Sequence, residues 1–305
     1  MGRGLRWATT SAKDHSSRRY TPSAGVLGAA GPAGAAGSAA PITPAGSLTV
    51  SLVIPAKNES ANLAWVLSHI PRGVHEVILI DGHSVDDTLE VARRLRPDII
   101  IVHENGSGKG AALRTGFELA TGDVIVMIDA DGSMQPLEMV RFLALTGEGF
   151  DLVKGSRFMA GGGSSDITPL RRAGNRGLVT LVNLLFGSRF TDLCYGYIAF
   201  QRKHLALLDL DADGFEIEAQ LILRAVRNGL IVTEVPSHEA NRLNGESNLR
   251  TVRDGARVLR TVMRERRRAR RAESSDVILD LTVIDGHGGM ADHTSATRGW
   301  PAEVG

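Results

Sequence analysis

Two aspartates one residue apart, Asp129 and Asp131, close the wholly apolar run VIVMI and are followed by glycine and serine. Residues two apart at a strand end can project to the same side, so both carboxylates can face one space. Paired carboxylate oxygens suit a hard divalent cation, Mg2+ or Mn2+, that keeps coordination places for substrate phosphates. Alone the spacing is weak evidence, because Asp-Gly turns after strands are common. Its setting strengthens it. Three earlier apolar runs end in PAKNE, DGHSVDDT and NGSGKG, and these loops supply Pro55, Lys57, Asn58, Glu59, Asp81 and Lys109. Pro55, Asn58, Glu59 and Asp81 are suited to fixing a base and ribose, Lys57 is a further candidate for binding substrate, and Lys109 with its flanking Gly108 and Gly110 can approach phosphates. Each also has a structural reading: Pro55 terminates a strand, Ser84 with Asp87 caps a helix, and the two glycines make turns.

The elements that must position these residues begin at Leu48. LTVSLVI, EVILI, DIIIV and DVIVMI are near-continuous apolar runs of strand length, the pattern of parallel strands covered on both faces. Between them Leu63, Val66, Leu67 and Ile70 mark one buried helical face. Strands alternating with helices predict an α/β fold with a parallel or mixed sheet, whose ligand sits beyond the carboxyl ends of the strands. After DLVKGSR come a glycine-rich loop, a helix over Asn175 to Phe186, the segment TDLCYGYIAFQR, a helix over Glu216 to Arg227 closed by Gly229, and the strand IVTEVP. This second half completes the same single domain, residues 48–248. Residues 1–47 read as a flexible Ala/Gly/Pro/Ser-rich extension. Residues 249–271 form an amphipathic helix, with Leu249, Val252, Ala256, Leu259 and Met263 at helical spacing and six arginines between Arg264 and Arg271. The tail, 272–305, reads as largely disordered.

With 43% hydrophobic residues, the 305-residue chain can bury one substantial core. Its 35 basic and 34 acidic residues leave a net charge of +1, no global field for nucleic acid. A single cysteine, Cys194, excludes an internal disulfide framework and a zinc cluster and fits a reducing cytoplasm. The longest strongly apolar run, LVTLVNLLF, is far shorter than the ~20 residues of a spanning helix. The expected location is cytoplasmic, with peripheral contact at the inner face of the cell membrane through the basic helix.

From Leu48 to Glu265 the chain resembles family 2 glycosyltransferases of the GT-A fold, and within them the polyprenyl-phosphate (dolichol-phosphate) sugar synthases. The resemblance rests on SLVIPAKNE, VILIDGHSVDDT, GKGAALRTGFELATGDVIVMIDADGSMQP, VKGSRF, DLCYGYIAFQR, GFEIEAQL and EVPSHEANRLNGESNL, specific in combination though none is so singly. It implies a Rossmann-like α/β/α sandwich and transfer of a hexose, with inversion, from GDP-mannose or a UDP-hexose to a polyprenyl phosphate. By it, Pro55, Glu59 and Asp81 contact the nucleoside, and Asp129, Asp131 and Gln135 bind Mg2+ or Mn2+. Arg157 and Arg242 face phosphates, joined by Arg171 or Arg172. Two departures stand out: the second strand ends Asp-Gly-His where many relatives carry two acidic residues, and Gln135 lies farther from Asp131 than the third ligand in some relatives.

A lipid phosphate is already anionic and needs no base, which gives weight to Asp131 and Arg242 as the residues that carry charge. A saccharide or other hydroxyl acceptor needs a carboxylate to take its proton, and Asp192, Glu216 and Glu218 are the candidates. Other classes fare worse. VIVMIDADGS is similar to the nucleophile strand of haloacid dehalogenase-type phosphatases, but three strand-helix units precede it here. A P-loop fails because His103 stands where the first glycine belongs and Gly110 where Ser or Thr would hold magnesium. A sugar nucleotidyltransferase would carry a Gly-rich, Arg-containing first loop in place of PAKNE. A non-catalytic nucleotide-sugar-binding protein would show no metal-dependent turnover of the donor.

Overall fold

Alternate residues of the first strand, β1 (Val50–Ala56), feed two different cores. Val50, Leu52 and Ile54 pack with Leu63, Val66 and Phe142 on one side, and Val53 packs with Leu113, Phe117 and Ile222 on the other. The fourth strand, β4 (Val124–Met127), divides in the same way, with Val126 on the first side and Ile125 and Met127 on the second. This two-sided burial is why both runs are continuously apolar, and it makes the molecule an α/β/α sandwich.

The computed structural model describes residues 48–246 and 249–285. The sheet also contains β2 (Glu76–Asp81), β3 (Ile100–His103), β5 (Leu152–Ser156), β7 (Ile198–Gln201) and β8 (Val232–Pro236). Its order is β3-β2-β1-β4-β7-β5-β8. All neighbours are parallel except β7, which is inserted antiparallel between β4 and β5, pairing Val124 with Gln201 and Leu152 with Phe200. A second small sheet pairs β6 (Gly163–Ser164) with β9 (His238–Glu239).

The helices α1 (Ser60–Ser68), α2 (Thr88–Leu95) and α4 (Met139–Gly147) connect the strands on the first side. On the second, α3 (Lys109–Leu119), α5 (Pro169–Phe186) and α7 (Ile217–Arg227) contribute to the core, with the short α6 (Leu205–Leu208). Helix α5 starts six residues before the expected Asn175. Thr168 caps it by accepting the Arg171 amide at 3.3 Å, and Pro169 occupies the first position, where a missing N–H costs nothing.

The last helix, α8 (Thr251–Asp285), runs past Arg271, where the expected tail was to begin. The reason is visible in the chain: no glycine or proline follows Gly255 until Gly286. The compact unit that holds the sheet extends through Arg266, and the remainder from Arg267 forms a second unit. Within the first unit Val258 and Val262 of α8 are buried in the second core. Fully buried Arg224 of α7 meets Glu265 at 3.1 Å, and Arg227 meets it at 3.0 Å. Among the described residues no helix is long and apolar enough to cross a membrane. The extension 1–47 and the end of the tail lie outside the described residues.

Candidate active site

A cavity of about 970 Å³ opens beyond the carboxyl ends of the strands. Pro55, Lys57 and Glu59 reach it after β1, Gly82 after β2, Lys109 after β3, and Asp129 and Asp131 after β4. Sheet topology accounts for this convergence, since the chain leaves β1 towards β2 on one side and β4 lies on the other, which opens a crevice at the strand ends.

Two chains of alternating charge cross the cavity floor. In the first, the Lys109 ammonium lies 2.6 Å from Asp129 Oδ1 and 2.8 Å from Glu218 Oε1. Burial opposes its charge, but the two carboxylates hold it protonated above the ordinary lysine range. In the second, Arg242 donates from Nη1 to Asp131 Oδ2 at 3.3 Å and from Nη2 to Glu59 Oε1. Glu59 is buried, which pushes its carboxyl above the usual range against the pull of Asn62 and Arg242. Asp131 Oδ1 also accepts the Ser133 amide at 3.0 Å.

Asp129 and Asp131 fit a divalent metal by their chemistry. Both are carboxylates lining the cavity, and among the described residues Asp129 is bound through Oδ1, by Lys109. Among the described residues no third His, Cys, Asp or Glu completes a metal-ligating cluster. Two carboxylates suit a cation that takes its other oxygens from substrate and water. Gln135 does not join them. It is not among the residues lining the cavity, its Oε1 is buried without a partner, and its carbonyl accepts the Tyr197 hydroxyl at 3.2 Å.

The sequence model of glycosyl transferase family 2 matches residues 51–209. The chain belongs to this family. It is 33% identical over 209 residues to glycosyltransferase AglJ of Haloferax volcanii, covering 68% of each chain. To polyprenol monophosphomannose synthase of Mycolicibacterium smegmatis it is 33% identical over 198 residues, covering 61% of this chain and 75% of that one. Among solved structures it is similar to glucosyl-3-phosphoglycerate synthase of Mycobacterium tuberculosis in complex with Mn2+, UDP and glucosyl-3-phosphoglycerate. There the TM-score is 0.58 and the identity 25%, over 72% of this chain and 80% of that one. The protein is therefore a glycosyltransferase with the GT-A sandwich.

Several expected contacts of the glycosyltransferase take other forms. Asp81 is fully buried and is not among the residues lining the cavity: its carboxylate accepts the Ser84 amide at 3.1 Å and meets His103 Nδ1 at 2.9 Å. Asn58, with φ of 57°, accepts the Val85 amide and gives its own amide to Ser84, so it shapes the loop after β1. Gly108 and Gly110 do not offer free amides to a phosphate. The Gly108 amide donates to Glu104 at 3.1 Å, and the amides of Gly110 and Ala111 donate to the Asp213 carbonyl at 2.8 and 3.2 Å. The backbone of 212–213 packs where side chains at both glycines would stand.

Arg157 lines the cavity, and each of the three nitrogens of its guanidinium has a protein acceptor. Nε and Nη2 fork onto Asp192 at 2.8 and 3.0 Å, Nη1 reaches both oxygens of Glu239, and Nη2 also donates to the Cys194 carbonyl at 2.7 Å. The fork engages both oxygens of Asp192 as well as the guanidinium. Burial alone would raise the Asp192 carboxyl, but the hydrogen bonds and charge of Arg157 and the charge of Lys154 hold it below the usual range. Of the adjacent pair, Arg171 lines the cavity and binds Asp166 at 2.9 Å, whereas exposed Arg172 lies over the Phe158 ring and is not in the lining.

Three lining arginines lie outside the residues singled out from the sequence: Arg250, just before α8, and Arg253 and Arg257 within its first turns. Their spacing of three and four is a helical face, and that signal is present in the chain. The denser arginine run downstream obscures it.

Proposed function

We propose that this glycosyltransferase moves a hexose from a nucleotide sugar, GDP-mannose or a UDP-hexose, to a polyprenyl phosphate with inversion at the anomeric carbon. The observation that carries the proposal is a group of arginines beside apolar side chains in the cavity lining. Of the three candidate bases, Asp192 is forked by Arg157 and Glu218 is bound by Lys109, while Glu216 keeps one buried oxygen without a hydrogen-bond partner. The cavity is also lined by Arg171, Arg250, Arg253 and Arg257 and by Leu170 and Leu178. Arginines with apolar neighbours suit an acceptor that is already anionic and carries a hydrocarbon chain. The name of the mycobacterial relative, polyprenol monophosphomannose synthase, supports the same acceptor.

In the reaction the acceptor phosphate oxygen attacks the anomeric carbon, the bond from that carbon to the donor diphosphate breaks, and its electron pair leaves with the nucleoside diphosphate. Asp129 and Asp131 would hold Mg2+ or Mn2+, which neutralises charge on the leaving group; the similar glucosyl-3-phosphoglycerate synthase, solved with Mn2+ and UDP, supports this. Pro55 and Glu59 would border the nucleoside. Arg242, which reaches both Glu59 and Asp131, would exchange a carboxylate for a phosphate oxygen. The arginines around the acceptor serve to position and to offset charge. The basic stretch of α8 would rest on an anionic leaflet, the enzyme working at the cytoplasmic face.

The test is transfer of label from radiolabelled GDP-mannose and UDP-glucose, offered with membrane lipids and Mn2+ or EDTA. Acid-labile labelled lipid, formed with Mn2+ and lost with EDTA, is expected. Label that enters only a polysaccharide or soluble acceptor would sink the lipid-phosphate assignment.

A further inference from the structure

The loop that joins β3 to α3 runs over the surface, and His103, Asn105, Gly106 and Ser107 are exposed. Among them Glu104 turns inward: it is 9% exposed and lines the cavity. A carboxylate this buried is ordinarily paired with a cation. Here the partner is a backbone amide, that of Gly108, which donates to Oε2 at 3.1 Å. Oε1 makes no hydrogen bond among the described residues, and unlike Oε2 of Glu216 it is not shut off from solvent. One acceptor oxygen, on a side chain tied down through its other oxygen, is thus left for a ligand.

Sheet order sets which part of a ligand meets it. Asp129 and Asp131 follow β4, and β1, β2 and β3 lie successively farther from them. Three strand spacings put the end of β3 about 14 Å from the end of β4. Between the two, Pro55 and Ala56 at the end of β1 and Gly82 after β2 line the same cavity. A nucleoside diphosphate whose phosphates meet a metal beyond β4 therefore lays its base towards β2 and β3. Guanine offers an acceptor two neighbouring donors, N1–H and the 2-amino group. Uracil offers only N3–H, set between two carbonyl oxygens that a carboxylate repels. We infer that Glu104 selects the base of the donor, accepting a hydrogen bond from the guanine edge and disfavouring uracil. This rests on the nucleotide-sugar reading of the site and narrows its donor to a guanosine diphosphate sugar.

Calorimetry of the full chain with Mn2+ compares binding of GDP, UDP and inosine diphosphate, which differs from GDP only in lacking the 2-amino group. The wild type should bind GDP roughly 10- to 100-fold more tightly than UDP, with inosine diphosphate weaker than GDP. That ranking needs no variant. In Glu104→Gln the amide oxygen can still accept the Gly108 amide while its NH2 meets the ligand, so the loop keeps its tie and the open acceptor becomes a donor. This variant should lose roughly 10- to 100-fold in GDP affinity, bind inosine diphosphate as well as GDP, and bind UDP no more weakly than the wild type does. If Glu104 only ties down its loop, or accepts from the ribose that all three share, the variant shifts the three nucleotides by one common factor or not at all, and the inference is overturned. A wild type that binds UDP as tightly as GDP overturns it too, and leaves the nucleotide-sugar reading standing. If none of the three binds, both readings fall.

Discussion

Arg157 is the residue around which the buried charges beside the cavity are arranged. It joins Asp192 and Glu239, and the Asp192 amide in turn donates to Glu234, which binds fully buried Lys154 at 3.1 Å. Removing one member of such a set leaves its partners charged and dry. Arg157→Ala is therefore expected to lose about 3–5 kcal/mol of stability, read from the urea midpoint. Asp192 gives a pH signature. Its native carboxyl binds a proton more weakly than the unfolded one, so unfolding takes up a proton. Its contribution to stability is complete at neutral pH and is lost as pH falls below about 4, the ordinary aspartate value, towards the native one. Asp192→Asn should lower stability at neutral pH and flatten this acid limb, measured by denaturant titration across the range; an unchanged limb would place the titration elsewhere. Residue types and spacing are enough to bring Pro55, Lys57, Glu59, Lys109, Asp129, Asp131 and Arg242 into one cavity. They do not show that Arg157, which also lines the cavity, and Asp81 are engaged by other protein groups, because a sequence shows a donor or an acceptor but not how many partners distant segments bring to it. Asp192 is 35 positions from Arg157 and Glu239 is 82.

At the scale of elements, the strand ends carry the site and the helices hold the loops in place. The start of α3 shows how tightly. Gly110 lies against the backbone at Ala212 and Asp213, and its amide donates to the Asp213 carbonyl. This contact fixes the loop that delivers Phe215, Glu216 and Glu218 to the cavity. A methyl group at Gly110 would meet backbone, which cannot swing aside as a flexible side chain can. Gly110→Ala is expected to cost about 1–3 kcal/mol, as overpacking does, and to lower kcat/KM for the donor. A variant with normal stability but the same kinetic loss would mean that the glycine serves the ligand directly. The glycines of GSGKG look like a phosphate approach because a short glycine-rich run before a helix reads identically whether its amides meet an anion or a carbonyl. The four long apolar runs are legible because two-sided burial imposes them. The reversed direction of β7 is not, since four residues of IAFQ have the same composition in either orientation and only pairing with β4 and β5 decides it.

At the scale of the whole molecule, the question is how a protein with no apolar spanning helix among its described residues would meet a membrane-borne acceptor. A hydrocarbon-anchored phosphate stays in its leaflet, so the proposed acceptor would require the enzyme to come to the surface. The charge available for this is local: the net charge is only +1, yet α8 carries exposed Arg267, Arg268 and Arg270 within four residues. Near an anionic surface each arginine is worth about 1 kcal/mol, and the attraction is confined to roughly a Debye length. Replacing these three by glutamine in the full chain should therefore weaken binding to phosphatidylserine vesicles by about two orders of magnitude. Wild-type binding should itself decline as salt is raised, with little attachment to neutral phosphatidylcholine vesicles. Transfer to a short, water-soluble polyprenyl phosphate should be unaffected, because that acceptor reaches the cavity without the surface. Co-sedimentation and a transfer assay on the two acceptor forms separate these effects. If the triple variant sediments with anionic vesicles as the wild type does, the basic stretch is a solvated helix face and does not carry surface attachment.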